Sequence, residues 1–226
     1  IDTVALFQNA VAYYKLDETS GDPVDVINSY NGTLFGGVTQ GVQGKIGNAY
    51  RFDGSSGYIY IPDLDNKIGA NNFTIGCWFK TTQTSTFRLI QNRGNAILGG
   101  AIGFMLRVDP SFNSYKTLCL DDGVGNFIEF DDVNQNELDG NWHLIAMKWK
   151  NSQGKLALFI DGILKSEKTD SNMANKNYNN DSFELGRSSG NNQYYNGDMD
   201  EPFIILEALT DVQLSDIWNN GNGTTM

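Results

Sequence analysis

Short runs in which apolar and polar residues alternate recur along the whole chain. Residues 73–79 and 142–149 are two of the longest. A period of two is typical of β-strands with one face in a core, and roughly a dozen such runs are typical of a sandwich or jelly roll. The runs are 10–16, 49–52, 58–61, 73–79, 87–90, 104–108, 118–120, 127–130, 142–149, 156–160, 183–185 and 203–206. We therefore expect an all-β fold, a two-sheet antiparallel jelly-roll sandwich.

Glycine, asparagine and aspartate separate these runs. The clearest case is Ile160-Asp161-Gly162-Ile163, an Asp-Gly pair between apolar residues. A type I′ turn needs a positive φ at both central positions, and Asp-Gly supplies both with little strain. The pattern predicts a β-hairpin at residues 161–162.

One short helix is expected near the C-terminus. Thr210 and Gln213 have the spacing of a capping box, and Leu214 and Ile217 begin an apolar stripe that Gly221 ends. We expect this helix to close one end of the sandwich.

Composition narrows the class of partner. The chain has 226 residues, 25 glycines and a net charge of −11, and we expect a single domain over residues 1–226 with its core at about 10–221. An acidic surface repels phosphate backbones, which argues against nucleic acid as a partner. Since no apolar run approaches the roughly 18 residues of a membrane span, we expect no membrane insertion. The chain opens at Ile1 without a basic or apolar leader, as a module cut from a larger multidomain protein would.

The two cysteines leave the redox compartment open. Cys77 and Cys119 each lie in an apolar, strand-like run. Buried free thiols are the simpler interpretation. A disulfide would require their Cα atoms to lie within about 7 Å, so both states stay open at this point.

Eight motifs together carry a resemblance. In chain order they are Val11-Ala12-Tyr13-Tyr14-Lys15-Leu16-Asp17-Glu18, Asn31-Gly32-Thr33-Leu34, Ala49-Tyr50-Arg51-Phe52-Asp53-Gly54, Phe73-Thr74-Ile75-Gly76-Cys77-Trp78-Phe79, Asp139-Gly140-Asn141-Trp142-His143-Leu144, Leu158-Phe159-Ile160-Asp161-Gly162, Leu185-Gly186-Arg187 and Asn196-Gly197-Asp198-Met199-Asp200-Glu201. The chain thereby resembles laminin-G-like domains of the concanavalin A-like lectin/glucanase superfamily. The resemblance implies a concanavalin A-like jelly roll. It does not fix the function, because that superfamily includes glycan-binding modules, adhesion domains and enzymes.

The resemblance also implies a structural Ca²⁺ that joins the first and last parts of the sandwich. Calcium prefers six to eight oxygen ligands, which acidic turns supply. The implied ligands are Asp25, Asn31, Asp53 and Asp200. The alternative is that these side chains cap turns and face water.

The residue patterns that would indicate a catalytic site are incomplete in this chain. His143 is the only histidine and follows Trp142 at the start of a strand, where a packing role is expected. The glucanases of the superfamily carry Glu-x-Asp-x-(x)-Glu on one strand, and here Glu129-Phe130-Asp131 begins that pattern but Asn134 replaces the last acid. We therefore expect no enzyme. An endo-acting polysaccharide hydrolase or lyase is kept as an alternative.

Aromatic side chains among amides are typical of sugar-recognition loops on β scaffolds. The candidate ligand-binding residues are Arg187, Asn191, Asn192, Tyr194 and Tyr178. We expect a noncatalytic carbohydrate-binding or adhesion module that recognises a glycan or glycosylated surface, outside the cell or on a cell or virion surface. The net charge favours neutral sugars, or anionic ones that calcium bridges. A structural or protein-adhesion spacer is the other alternative, and burial of Tyr178, Tyr194 and Tyr195 would favour it.

Overall fold

The computed structural model describes residues 6–92, 102–109, 116–130, 135–179, 183–188 and 193–225. The strands are β1 (Ala10–Tyr13), β2 (Thr33–Phe35), β3 (Val38–Gln43), β4 (Asn48–Asp53), β5 (Tyr58–Tyr60), β6 (Phe73–Lys80), β7 (Phe87–Gln91), β8 (Ile102–Asp109), β9 (Lys116–Asp122), β10 (Phe127–Phe130), β11 (His143–Lys150), β12 (Lys155–Ile160), β13 (Ile163–Thr169), β14 (Glu184–Leu185) and β15 (Asn196–Ile205). Helix α1 spans Asp211–Trp218, and 3₁₀ turns lie at Pro62–Leu64, Gln135–Leu138, Asn151–Gln153, Ser171–Met173 and Asn219–Gly221.

These strands form two antiparallel sheets within the described ranges. One has eight strands in the order β13-β12-β11-β6-β15-β4-β3, with β1 paired to β15. The other has seven strands in the order β10-β9-β8-β7-β14-β5-β2. Hairpins of consecutive strands, such as β12–β13, alternate with pairings between distant strands, such as β6 with β15 and β14 with β5, as in a jelly roll. The expected two-sheet sandwich is confirmed.

The main core lies between the two sheets and is rich in aromatic residues. Phe73 and Trp149 from the larger sheet and Phe104 from the smaller one are fully buried there. Burying a large apolar side chain contributes about 1.5–3 kcal/mol to stability, so this layer joins the sheets. Cys77 is a free, fully buried thiol in this layer, as expected. The Cys119 side chain lies outside the part of the chain that the structure describes.

A second apolar layer covers the outer face of the eight-stranded sheet. Trp78, Leu144 and Phe159 point to this side and pack with Leu214 and Ile217 of α1. The helix therefore lies on a sheet face, and the expectation that it closes one end of the sandwich is wrong. The wide apolar stripe of that face explains the difference, because it needs a cover.

Two local predictions are confirmed. The Thr210 hydroxyl accepts a hydrogen bond from the Gln213 amide at 3.2 Å, and the Gln213 side chain accepts one from the Thr210 amide at 2.8 Å, which is a capping box. Asp161 and Gly162 have φ of 53° and 71°, so the β12–β13 hairpin turns as the Asp-Gly pair predicts. No helix in the described residues is long and apolar enough to cross a membrane.

Candidate functional site

The outer face of the seven-stranded sheet carries an aromatic and charged cluster. Strand alternation explains its origin, because Ile59, Ile90 and Leu185 point into the core and their neighbours point outward. We call five of these outward or flanking residues the sheet-face cluster. They are Phe35, Tyr58, Gln91, Glu184 and Arg187.

Flat groups are stacked within this cluster. The Phe35 and Tyr58 rings are nearly parallel, at an angle of 6°, with centroids 4.7 Å apart. The guanidinium carbon of Arg187 lies 3.4 Å from the centroid of the Tyr58 ring. Phe35 remains 40% exposed, so the stack offers an apolar ring to solvent, with the cation on the other face of Tyr58.

A glycine brings Arg187 to this position. Gly186 follows β14 with φ of +84°, which favours glycine, and a Cβ there would lie 2.6 Å from the Phe52 ring. The chain can therefore turn tightly between β14 and Arg187. The glycine of the Leu185-Gly186-Arg187 motif is therefore required by the turn that places Arg187 on the sheet face.

Glu184 anchors the cation. Its Oε1 accepts hydrogen bonds from Nε and Nη2 of Arg187 at 3.0 and 2.6 Å, and its Oε2 accepts one from Gln91 at 2.8 Å. Burial lowers the pKa of Arg187, but the hydrogen bonds and charge of Glu184 outweigh it, with further contributions from Tyr58 and Tyr194, and the pKa is raised. The guanidinium is therefore charged and held in one orientation.

A second ion pair lies further along the same face. Arg107 on β8 pairs with Glu129 on β10, and both side chains are largely buried. Arg88 on β7 lies directly opposite Arg107 in the strand register. This end of the face therefore carries a neutralised ion pair, and its exposed ring, Phe127, lies two residues before Glu129 on β10.

The two glutamates on this face lie far apart. Strands β14 and β10 are separated by four strand spacings, or about 19 Å at about 4.8 Å each. A two-carboxylate glycosidase needs about 5–10 Å. Asp131 and Asn134, from the glucanase-like pattern, lie outside the described residues.

The predicted ligand-binding residues have different outcomes. The half-buried Tyr194 lies close enough to Arg187 to help raise the pKa of its guanidinium, so the two residues lie together at the cluster. Asn191 and Asn192 lie outside the described residues. Tyr178 is fully buried, so its prediction as an exposed contact is wrong.

The burial of Tyr178 has a clear cause. Its ring packs edge-on against Trp149 at 5.7 Å, and its hydroxyl donates to the Met173 carbonyl at 3.2 Å. Tyr195 is also fully buried, and its hydroxyl donates to the carbonyl of Asp198 at 2.8 Å. Exposure of Tyr178, Tyr194 and Tyr195 was expected to distinguish a binding module from a spacer. Of these three side chains, only Tyr194 is partly exposed.

Phe35 and Tyr58 were not predicted as site residues. The signal that could have identified Tyr58 is the alternation Tyr58-Ile59-Tyr60, which places both tyrosines on the face opposite the core. Phe35 is recognisable only once β2 pairs with β5 and puts Phe35 directly opposite Tyr58.

His143 has the structural role expected from its position. Its Nδ1 lies 2.8 Å from Asp161 Oδ2 and its Nε2 lies 3.3 Å from Asp139 Oδ1. The hydrogen bond to Asp161 raises the pKa of His143 more than burial lowers it, and Asp139 adds to the increase. The His143 ring thus links the loop before β11 to the β12–β13 turn.

Two of the predicted calcium ligands are used by their own turns. The Asp25 carboxylate accepts hydrogen bonds from four backbone amides, those of Tyr13, Ile27, Asn28 and Tyr30. The amide of Asp25 itself donates to Asn31 Oδ1 at 3.0 Å, so Asn31 also serves this loop. These oxygens are engaged in holding the loop.

Asp53 closes another turn. Its carboxylate accepts from the amides of Ser55, Ser56 and Gly57 and from both serine hydroxyls. Burial raises the pKa of Asp53, but these hydrogen bonds outweigh it and the pKa lies well below its usual value. Like Asp25, Asp53 is used as a turn cap.

Asp200 differs from the other three. It is fully buried, its Oδ2 accepts from the Ile46 amide at 2.9 Å, and its Oδ1 has no hydrogen-bond partner among the described residues. Burial raises its pKa to about 7. A cation would satisfy this oxygen, so Asp200 fits the role of a calcium ligand. The described residues contain no group of three or more His, Cys, Asp or Glu side chains arranged to hold a metal.

Solved structures with this fold are numerous. Domain 4 of AbnA, a GH43 extracellular arabinanase from Geobacillus stearothermophilus solved in complex with arabinotriose, is 21% identical, with a TM-score of 0.69, over 92% of this chain and 97% of that one. The binding domain of Paraclostridial Mosquitocidal Protein 1 is 16% identical, with a TM-score of 0.76, over 96% of this chain and 53% of that one. The binding domain of botulinum neurotoxin serotype D is 15% identical, with a TM-score of 0.70 and the same two coverages.

The chain therefore spans about half the length of the two toxin domains, and all three likenesses establish the fold alone. A comparison with curated protein sequences finds no match. Residues 53–215, more than half of the chain, match the Laminin_G_3 family model, which is described as concanavalin A-like lectin/glucanases superfamily. The chain thus belongs to the laminin-G-like group of the concanavalin A-like lectin/glucanase superfamily.

Proposed function

We propose that this protein is a noncatalytic carbohydrate-binding module whose ligand sits on the sheet-face cluster. The observation that carries the proposal is the stack of Phe35, Tyr58 and Arg187, in which an exposed ring and a fixed guanidinium lie on opposite faces of Tyr58. The apolar face of a sugar ring packs on an aromatic face, and its hydroxyls bond to neighbouring polar groups. Phe35 supplies the platform, and Arg187 and Tyr194 supply the polar contacts.

The carboxylates on this face support binding without cleavage. Glu184 and Glu129 each pair with a guanidinium and lie about 19 Å apart by strand spacing. A retaining or inverting mechanism needs a proton donor and a nucleophile or base on either side of one bond. Neutralised acids at this separation cannot act together. Asp121 of β9 faces the same side nearer Glu129, but it is fully buried and accepts a hydrogen bond from the Gly123 amide.

The comparisons add support for an oligosaccharide ligand. A domain of similar fold from an arabinanase was solved with arabinotriose, and the toxin domains of similar fold are binding domains of larger proteins. We place this module by analogy in a larger extracellular or surface protein, where it attaches that protein to a glycan or a glycosylated surface.

A structural calcium forms the second part of the proposal. Asp200 supplies the one predicted ligand oxygen that is buried and unpaired among the described residues. Backbone carbonyl groups of residues near Asp200 would complete the ligand set, since calcium readily accepts carbonyl oxygens as ligands. The ion would join β15 to the segment around Ile46, which already contacts Asp200.

A glycan array tests the proposal. Wild type, Phe35→Ala and Phe127→Ala are screened on neutral oligosaccharides, including arabinotriose, with Ca²⁺ and with EDTA. Phe127 is the matched control, because it is similarly exposed and lies on the same face at the opposite edge of the sheet. We expect wild type and Phe127→Ala to bind the same glycans and Phe35→Ala to lose them. If none of the three proteins bound a glycan, the result would favour a structural or protein-adhesion spacer. The burial of Tyr178 and Tyr195 already supports that alternative in part.

A further inference from the structure

A separate cleft lies on the outer face of the eight-stranded sheet. It has a volume of about 290 Å³ and is lined by residues of three adjacent strands and two loops. Asp198 on β15 is directly opposite both Arg51 on β4 and Lys80 on β6. The loop residues are Thr81, Thr82 and Gly140, and Asn196 at the start of β15 completes the rim. We call this site the cationic cleft.

The guanidinium of Arg51 has N–H donors in this cleft that Asp198 does not use. Its Nε and Nη2 donate to Asp198 at 2.6 and 3.0 Å, which uses one edge of the guanidinium. The fork of five N–H groups leaves a second edge, formed by Nη1 and the outer hydrogen of Nη2. Among the described residues this edge has no partner, and the Arg51 side chain is 57% exposed.

Lys80 supplies a second cation beside it. Its Nζ lies 4.0 Å from Asp198 Oδ2 and 5.9 Å from the centroid of the Trp142 ring, and its side chain is 38% exposed. Asp198 is buried and already holds Arg51 through both oxygens. The lining therefore carries two cations and one acid, a local excess of one positive charge in a chain of net charge −11.

Neighbouring acids do not cancel this excess. Asp139 precedes Gly140 of the cleft wall, but it faces His143, whose pKa its carboxylate helps to raise. Asp53 lies two residues after Arg51 on β4 and opposite Asn196, and its carboxylate is surrounded by the amides and hydroxyls of its own turn. Because ionic screening limits the reach of more distant acids to about 8 Å at physiological salt, Arg51 and Lys80 are the free charges of the cleft.

The walls of the cleft are fixed before any ligand arrives. The Thr81 hydroxyl donates to the Asn196 carbonyl at 2.5 Å, and the Gly140 amide donates to the Thr81 carbonyl at 3.1 Å. Gly197 forms part of the lining, where a Cβ would lie 2.4 Å from the Lys80 carbonyl. A site that is already ordered loses little entropy on binding.

We propose that the cationic cleft binds a carboxylate-bearing sugar, such as a uronic acid residue. The carboxylate pairs with the free edge of Arg51 and with Lys80, and the sugar hydroxyls meet Thr82 and the Asn196 side chain at the rim. The volume suits one or two sugar rings, at the lower end of ligand pockets. Such a ligand needs no bridging calcium, unlike the anionic sugars considered from net charge alone. The inference is independent of whether the sheet-face cluster binds a neutral glycan.

Calorimetric titration in EDTA with digalacturonate and its methyl ester tests the proposal. The ester keeps the shape of the ligand and removes its charge. The variants are Lys80→Gln, the double variant Lys80→Gln/Arg51→Gln, and the control Lys155→Gln, which removes one surface charge from β12 of the same sheet. Phe35→Ala reports on the sheet-face cluster. Melting curves establish that each variant is folded.

We expect wild type, Lys155→Gln and Phe35→Ala to bind digalacturonate equally. Lys80→Gln should bind at least tenfold more weakly, and the double variant more weakly still. The methyl ester should bind wild type at least tenfold more weakly than the acid. Equal affinity for acid and ester, wild-type affinity in Lys80→Gln, or a loss confined to Phe35→Ala would each overturn the proposal. The last result would assign the anionic sugar to the other sheet.

Discussion

The guanidinium of Arg187 lies flat against Tyr58, with its central carbon 3.4 Å from the ring centroid, while Glu184 holds its Nε and Nη2. A planar, delocalised cation suits both contacts at once. The geometry explains how a loop residue just after β14 becomes a fixed part of a sheet surface.

Arg187→Lys should therefore weaken glycan binding by about tenfold, because lysine keeps the charge but cannot stack on Tyr58 and engage Glu184 together. Titration with a neutral oligosaccharide found on the array measures the effect. Lys168→Arg, which changes cation type on β13, is the control and should bind as wild type. Unchanged affinity in Arg187→Lys would show that the stacked guanidinium plays no part in binding.

If the module is noncatalytic, it should not cleave the polysaccharide that it binds. Prolonged incubation with the bound polysaccharide should create no new reducing ends, since Glu184 and Glu129 are neutralised and far apart. Reducing-end formation is measured against a buffer blank and against Glu129→Gln. Turnover that disappears in Glu129→Gln would refute the assignment and restore the hydrolase alternative.

Calcium should stabilise the fold through Asp200. Because a ligand that binds only the native state stabilises it by mass action, about 2.7 kcal/mol at a hundredfold excess over Kd, EDTA should lower the Tm. Asp200→Asn should remove that sensitivity. Asp53→Asn should retain it, although this variant loses its turn cap and about 1 kcal/mol of stability. An EDTA effect that survives in Asp200→Asn, or none in wild type, would remove Asp200 as a ligand.

His143 should make stability depend on pH. The folded-state pKa is raised above the unfolded value of about 6.5, so the contribution is fully present below about pH 6.5 and is lost as pH rises through the folded pKa. His143→Gln should cost about 1 kcal/mol, or about 2–4 °C in Tm, at pH 5.5 and much less at pH 9. Melting curves of both proteins across this range measure the difference. A gap that is constant with pH would mean that the imidazolium contributes nothing.

Cys77 should be inert in the native protein, because burial raises the pKa of its thiol and excludes reagents. A thiol reagent should label it only after denaturation, without any reductant. Peptide mapping after labelling identifies the residue. Labelling of Cys77 that requires reductant would reveal a disulfide that the structure does not contain.

The sequence could predict the parts of the fold that depend on local patterns. Period-two alternation located most strands, Asp161-Gly162 located a hairpin, and Thr210 with Gln213 located the start of α1. The position of α1 on a sheet face depends on which apolar residues face outward, and alternation within one strand does not reveal this.

The site was less predictable, for two physical reasons. Tyr178 lies in a polar loop, yet this loop folds back so that its ring meets Trp149 in the core. Phe35 becomes significant only when β2 pairs with β5, a contact between strands distant in sequence. Asp25 and Asp53 have the composition of calcium ligands, but backbone amides of their own turns compete for the same oxygens.

The most direct test of the central claim is a calorimetric titration of Phe35→Ala with the oligosaccharide that wild type binds best on the array. Phe127→Ala serves as the control in the same experiment. We predict affinity at least tenfold weaker in Phe35→Ala and unchanged in Phe127→Ala. Wild-type affinity in Phe35→Ala would contradict the account and move glycan recognition away from the sheet-face cluster.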